Sequence, residues 1–244
     1  MDRLSALLSR FHITVNVAAP GSGNLLIVGE RKTEQAIRIE FGTAPRSFAR
    51  DGDEVVLLEL QALWGGEANP LFRALHEGIS LSMSEDDETQ ALVHVLLGEA
   101  RSQRCGISAV LSRLGEIIFI RLIRAEVDHG VDRRGLLAGL ADPRISKALV
   151  AIHEQPGRAW RNEQLAELAG LSLSRFAAVF HVCLGQTPQA YLRQWRMTLA
   201  HQDIQSGERI KSVSRRYGYA SSEALARAFQ RQFGKAPLAV RGAS

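Results

Sequence analysis

A chain of 244 residues with 45% hydrophobic content is long enough for two globular domains, and it has no run of about 18 apolar residues to span a membrane. The formal net charge of +4 hides an asymmetry: residues 142–244 carry 15 Lys+Arg against 7 Asp+Glu, and residues 1–141 carry 15 against 19. A basic half joined to an acidic half points to a polyanion as partner of the basic half, with ordinary surface charge as the plain alternative.

Two cysteines, Cys105 and Cys183, lie far apart in helical patterns and form neither a metal cluster nor a disulfide framework. The opening Met-Asp-Arg-Leu-Ser lacks the apolar segment of a secretory leader, so a reducing cytoplasm is the expected location. No cofactor is implied.

In chain order, residues 1–66 read as a small β-rich part. Phe11–Val17, Leu25–Val28, Ala36–Phe41 and Glu54–Leu60 are short runs of branched residues, and Ile37-Arg-Ile-Glu-Phe41 alternates clearly. Breaks at Pro20–Asn24, Gly42–Pro45 and Asp51–Asp53 separate them. Four strands make a small sheet or part of a barrel, not a roomy closed one.

Residues 67–135 read as mostly helical, with a short extended piece at Ile79–Met83. Ser84-Glu-Asp-Asp87 has the look of a capping box that opens a helix to about Ser102, with Leu92, Val93, Leu96 and Leu97 as its stripe. A second helix spans about Ile107–Val127, where Ile117, Ile120 and Ile123 widen the face made by Val110, Leu111, Leu114, Ile118 and Leu122. A helix so broadly apolar must be buried on two sides, and the expectation is that one side makes a homodimer contact. Asp128–Pro143 is charged, holds Gly130, Gly135 and Gly139, and has no sustained stripe, so it reads as the boundary. Helix signals resume at Arg144.

Residues 142–244 contain a repeat. Gly218–Pro237 reads as a tight turn, a helix capped by Ser221 with Leu225, Phe229 and Phe233 on its apolar edge, and a stop at Gly234; Ile210–Tyr217 supplies a short helix before it. Leu165–Pro188 has the same punctuation: Phe176, Phe180, Gly185 and Pro188 map onto Leu225, Phe229, Gly234 and Pro237, each 49 positions on, and Gly170 maps onto Gly218. Two short helices, a Gly turn and an exposed second helix are the parts of a helix-turn-helix, and two copies are far more specific than one. Between them Gln189–Ser206 reads as one helix of about 27 Å, a strut that can hold two reading helices about one DNA turn apart.

The pairing of Gly185-Gln-Thr-Pro-Gln-Ala-Tyr-Leu-Arg-Gln-Trp-Arg-Met197 with Gly218-Tyr-Ala-Ser-Ser-Glu-Ala-Leu-Ala-Arg-Ala-Phe229 resembles the AraC/XylS transcription regulators. Residues 1–141 resemble, more loosely, the cupin-type sensor found ahead of that module, here shortened. The resemblance implies an α+β protein: a degenerate cupin-like sheet, a helical dimerisation segment, and an all-α domain with two helix-turn-helix units. It implies an activator that works as a dimer on promoter DNA, with RNA polymerase as a further partner. The groove-facing positions of the family fall on Ser174, Ala177 and Ala178 in the first reading helix and on Ser222, Glu223 and Arg227 in the second, and Arg175 stands beside the first set.

Arg227 has the chemistry for a paired contact to guanine O6 and N7, and Glu223 either accepts from cytosine N4 or serves the first turn as a dipole partner. Ala177 and Ala178 offer only methyl contacts, so the second unit is expected to carry most sequence selectivity. Arg158, Arg161, Arg193, Lys211, Arg215 and Arg231 are phosphate-contact candidates. His153, His181 and His201 are isolated, with surface or cap roles expected, and Trp160 and Trp195 are expected to pack helices.

In the sensor part the histidines are scattered, and no metal site follows. Arg46-Ser-Phe-Ala-Arg50 resembles the phosphate-gripping half of the PilZ cyclic-di-GMP motif, without its second half. It is a candidate effector site for a cyclic dinucleotide, against a solvated loop. An enzyme with a DNA-targeting tail would need surroundings that Cys105 and Cys183 lack, so no catalytic residue is assigned. A further alternative is an interaction partner that pairs with a fuller relative and binds DNA poorly alone.

Overall fold

Alternation sets the sheet. In the computed structural model, which describes residues 3–8, 11–42, 52–64, 69, 75, 78–102, 104–129 and 135–241, five antiparallel strands form one open sheet. They are β1 (Thr14–Val17), β2 (Leu25–Glu30), β3 (Ala36–Phe41), β4 (Glu54–Leu63) and β5 (Ile79–Ser82), in the order β1-β4-β2-β3-β5. The short extended piece at 79–82 thus joins the sheet as a fifth strand, along the edge of β3. Register lines up Leu60, Leu25, Phe41 and Ile79 across four strands, so one face is continuously apolar. The architecture is α+β, as the pattern implied.

Helix α1 (Ser5–Leu8) comes before the strands, and α2 (Asp87–Ser102) and α3 (Ile107–His129) follow them. The start of α2 lies slightly later than the acidic cluster suggested, because Met83–Glu85 forms a 3-10 turn and Asp86 does the capping. The Asp86 carboxylate accepts from the Thr89 amide at 2.9 Å and from its hydroxyl at 2.6 Å, and Arg121 of α3 donates to both of its oxygens. Desolvation raises the Asp86 pKa, but these donors outweigh it and hold the carboxyl at about 2.

Helix α3 lies on the apolar face of the sheet. Its Gly115 allows the approach, since a Cβ there would stand 2.6 Å from Cγ1 of Val15. Phe119 packs on Phe41 at 4.6 Å and edge-on to Trp64 at 5.8 Å, and the Trp64 indole donates to the Phe11 carbonyl. Each such ring contributes about 1.5–3 kcal/mol by leaving water. The opposite side of α3 is only partly covered: Ile117 is 46% and Val110 41% exposed. Helix α2 packs on a further side of α3, and what the described residues leave open is the stripe of Val110 and Ile117.

The chain divides into two bodies. Arg10–Gly130 forms the sheet body, and Met1–Ser9 with Val131–Ser244 forms the helical body. The latter holds α1, α4 (Leu136–Ala141), α5 (Ile145–Glu154), α6 (Asn162–Ala169), α7 (Leu173–Leu184), α8 (Pro188–Gln205), α9 (Ile210–Arg216) and α10 (Ser222–Phe233). Two features differ from the sequence reading. The stretch taken as boundary contains α4, whose Leu136, Leu137, Ala138 and Leu140 are buried against α5 and α7; six residues are too few for a stripe to show. Also, α1 packs on α5 with Leu4 and Leu7 buried.

Candidate nucleic-acid interface

Both helix-turn-helix units are built from the same local parts. In the first, Gly170 ends α6 in the left-handed region at φ +67°, and the Ser172 hydroxyl accepts from the Arg175 amide to open α7. In the second, Gly218 turns the chain at φ +72°, and Ser221 accepts from the Ala224 amide at 3.1 Å to open α10. Gly185 and Gly234 stop the two reading helices at φ +69° and +67°. Thr187 caps the strut α8, where Pro188 takes the first position. At 18 residues the strut is about 27 Å long.

The reading helices bury most of the residues their spacing assigned to the core, and Phe233 is half-buried. Phe176 and Phe180 of α7 and Leu225 and Phe229 of α10 are fully buried. Ser174, Arg175, Ala177 and Ala178 are exposed along α7. On α10, Glu223 and Arg227 are exposed and Ser222 is half-buried. The Glu223 carboxyl is held below its ordinary range first by a hydrogen bond from the Ser221 hydroxyl, then by its own backbone amide, with Arg227 as the smallest contributor. In this structure the carboxylate therefore serves the helix start.

The phosphate candidates separate into groups. Arg193 from the strut and Arg227 and Arg231 from α10 converge, with Tyr219, on one open groove of about 480 Å³. None of the three arginines is ion-paired among the described residues. Burial raises the Tyr219 pKa while Arg196, Arg193 and Arg231 pull it down, which places its phenol among these guanidinium groups. Lys211 and Arg215 are exposed on α9, and Arg161 is exposed just ahead of α6. Arg158 lies over the Trp160 ring at 4.0 Å from its centroid. Arg216 is committed elsewhere, to Asp203 at 2.5 Å and Glu208 at 3.5 Å.

Two histidines depart from the surface or cap roles expected of them. His153 is 1% exposed; its Nε2 lies 2.6 Å from the Tyr191 hydroxyl, its ring packs 4.4 Å from Trp195, and Nδ1 has no partner among the described residues. Burial alone pushes its pKa down to about 3, so the ring is neutral. His201 stacks parallel to Phe229 at 5.5 Å beneath the second reading helix. A single histidine in a helical stripe gave no sign of either role. Nor did spacing single out Tyr219, whose place in the groove depends on how the turn meets the strut.

In the sheet body, Arg46 and Arg50 lie outside the described residues. On the sheet face away from α3, the described residues carry a charged cluster instead: Arg38 donates to Glu40 at 2.5 Å and bidentately to Glu54. Across that face Leu26 pairs with Glu40 and Val28 with Arg38, and all but Arg38 are buried. No group of three or more metal-ligating side chains occurs among the described residues.

A helix-turn-helix domain model matches residues 165–243, and a cupin model matches residues 26–128. The chain is 31% identical over 178 residues to the HTH-type transcriptional regulator AlkR of Acinetobacter baylyi, a match covering 71% of this chain and 58% of that protein. It is 36% identical over 132 residues to a Streptomyces lividans protein named as an AraC-like transcription regulator, covering 52% of this chain and 43% of that one. The third similarity is to the RCS-specific HTH-type transcriptional activator RclR of Escherichia coli, at 33% over 141 residues and 57% and 49% coverage. The chain spans about half the length of the curated relatives it matches.

Proposed function

The chain belongs to the AraC-type transcription regulators, with a cupin module ahead of a helix-turn-helix module, and on that premise we propose that it is a sequence-specific double-stranded DNA-binding activator acting as a homodimer. One observation carries the reading: two helices with exposed faces stand at the two ends of a strut of nearly one DNA turn, and arginines with no ion-pair partner among the described residues collect beside the second. Ser174, Arg175, Ala177, Ala178, Ser222, Glu223 and Arg227 are the residues offered to base edges. Arg158, Arg161, Arg193, Lys211, Arg215 and Arg231 are offered to phosphates, and the net +8 of residues 142–244 supports that assignment.

Activation is supported by the naming of RclR as an activator, and RNA polymerase is the partner that activation would require. The exposed stripe of Val110 and Ile117, with Leu114 half-buried between them, supports homodimerisation through α3. A cyclic dinucleotide at Arg46 and Arg50 is the effector reading, and it rests on their motif alone.

The test is a gel shift of the purified protein on its own upstream DNA over a salt series, with and without cyclic di-GMP, alongside light scattering. Expected are a discrete complex whose affinity falls steeply as salt rises, with log K against log salt steeper than about −3, and a dimeric mass in the micromolar range. A salt-insensitive smear on every DNA would overturn DNA reading, a monomer would overturn the α3 dimer, and an unchanged titration would remove the dinucleotide. The alternative, a partner that pairs with a fuller relative, draws on the bare methyl face of Ala177 and Ala178. It predicts no shift until that relative is added.

A further inference from the structure

The loop 155–161 comes before the first helix-turn-helix unit in sequence, yet it lies against the turn of the second. A Cβ on Gly157 would stand 2.1 Å from the Arg216 carbonyl oxygen, and one on Gly218 would stand 2.7 Å from the Gly157 carbonyl oxygen. Backbone meets backbone here, with no room for a side chain on either glycine. The strut closes the contact. Arg196 of α8 donates from Nε to the Pro156 carbonyl at 2.5 Å and from Nη2 to the Arg158 carbonyl at 2.8 Å. The same guanidinium lies 3.5 Å from where a Gly218 side chain would begin. Gln189, in the strut's first turn, holds the far end of the loop through the Trp160 carbonyl at 2.8 Å and Asn162 Oδ1 at 3.1 Å.

Arg196 is half-buried and donates to two neutral carbonyls. A planar fork can satisfy two carbonyls set at a fixed spacing, which an ammonium cannot do in the same geometry. Without this contact the strut would leave each unit attached through its own short connection, at 185–187 and at 206–209. With it, loop, strut and second turn form a closed triangle.

We propose that Arg196 is a positioning residue that pins the loop 155–161 against the Gly218 turn, and so fixes the two reading helices as one rigid body. The proposal rests on the DNA-reading function above for its consequence, though not for its geometry. Two reading helices fixed in advance bind a two-segment site without having to be ordered on it, and the second segment is then engaged at high effective concentration.

The experiment places spin labels at two exposed positions, Val182 on α7 and Gln230 on α10, in a background with Cys105→Ser and Cys183→Ser, and measures their separation by pulsed electron resonance on the free protein. The parent should give one narrow distance distribution and Arg196→Ala a broad one. On DNA, Arg196→Ala should weaken binding to a two-segment site by about tenfold while leaving a site with one segment scrambled within about twofold. An unchanged distance distribution in Arg196→Ala would overturn the proposal, and so would an equal loss on both DNAs, which marks a plain phosphate contact. If Arg196→Ala does not fold, Arg196→Lys keeps the stem and charge without the fork and carries the same measurements. Should the parent bind no specific DNA, the distance measurement still decides the clamp, so the two readings fail separately.

Discussion

Arg227 shares its groove with Arg193 and Arg231, so the same side chain has base edges within its chemistry and phosphate-binding neighbours at its flank. Arg227→Ala should relax preference at one base pair by about 1–3 kcal/mol in a site-selection assay, and Arg175→Ala should relax it less. Equal effects would mean that the first unit reads as much as the second. At His153 the prediction concerns pH. An ordinary histidine near 6.5 is protonated in the unfolded chain below that pH, while the buried ring stays neutral down to about 3. The folded form is therefore fully stable above pH 6.5 and loses stability as pH falls, by about 2 kcal/mol at pH 5. Urea melts of the helical body at pH 7.5 and 5 should show that loss, and His153→Phe should flatten it. The reading-helix faces were legible because Phe176, Phe180, Leu225 and Phe229 repeat at helical spacing. The His153–Tyr191 pair, 38 positions apart, was not legible, because no local pattern records which helices cross.

At the scale of elements, two glycines with nearly the same backbone do different work. Gly170 at φ +67° has nothing within 4 Å of where a Cβ would stand, while at Gly218, φ +72°, that Cβ meets the Gly157 carbonyl at 2.7 Å. Gly170→Ala should therefore cost about 1 kcal/mol, the left-handed strain alone, and Gly218→Ala clearly more, since backbone has to move as well. Thermal melts of the two variants check the difference. Helix stops, caps and turns of this kind were written locally in Gly, Ser, Thr and Pro, which is why all four helices of the two units fall where their punctuation put them. Helix α4 escaped because six residues make fewer than two turns. The cap of α2 moved to Asp86 because neighbouring candidates in Ser84–Asp87 compete for one cap, and Asp86 is the one whose carboxylate also meets Arg121 from another helix.

For the whole molecule, the charge asymmetry and the repeat identified the helical half, and the alternation of β3 identified the sheet. What composition did not show is that the helical body begins with the first residues of the chain. Leu4 and Leu7 are buried there, and Arg3 reaches the Ala141 carbonyl at 3.5 Å. Removing residues 1–8 should lower the stability of the helical body by about 2 kcal/mol and leave the sheet body's unfolding unchanged, as read by hydrogen exchange on each. The same feature has a consequence for synthesis. Arg3 and Ala141 are 138 positions apart, and at about 5–20 residues per second the ribosome needs roughly 7–28 s to cover that interval. Throughout that time the first helix has been made and its partners have not. The sheet body can finish folding while Leu4 and Leu7 remain without their site, so a segment made before the sheet is placed only after it.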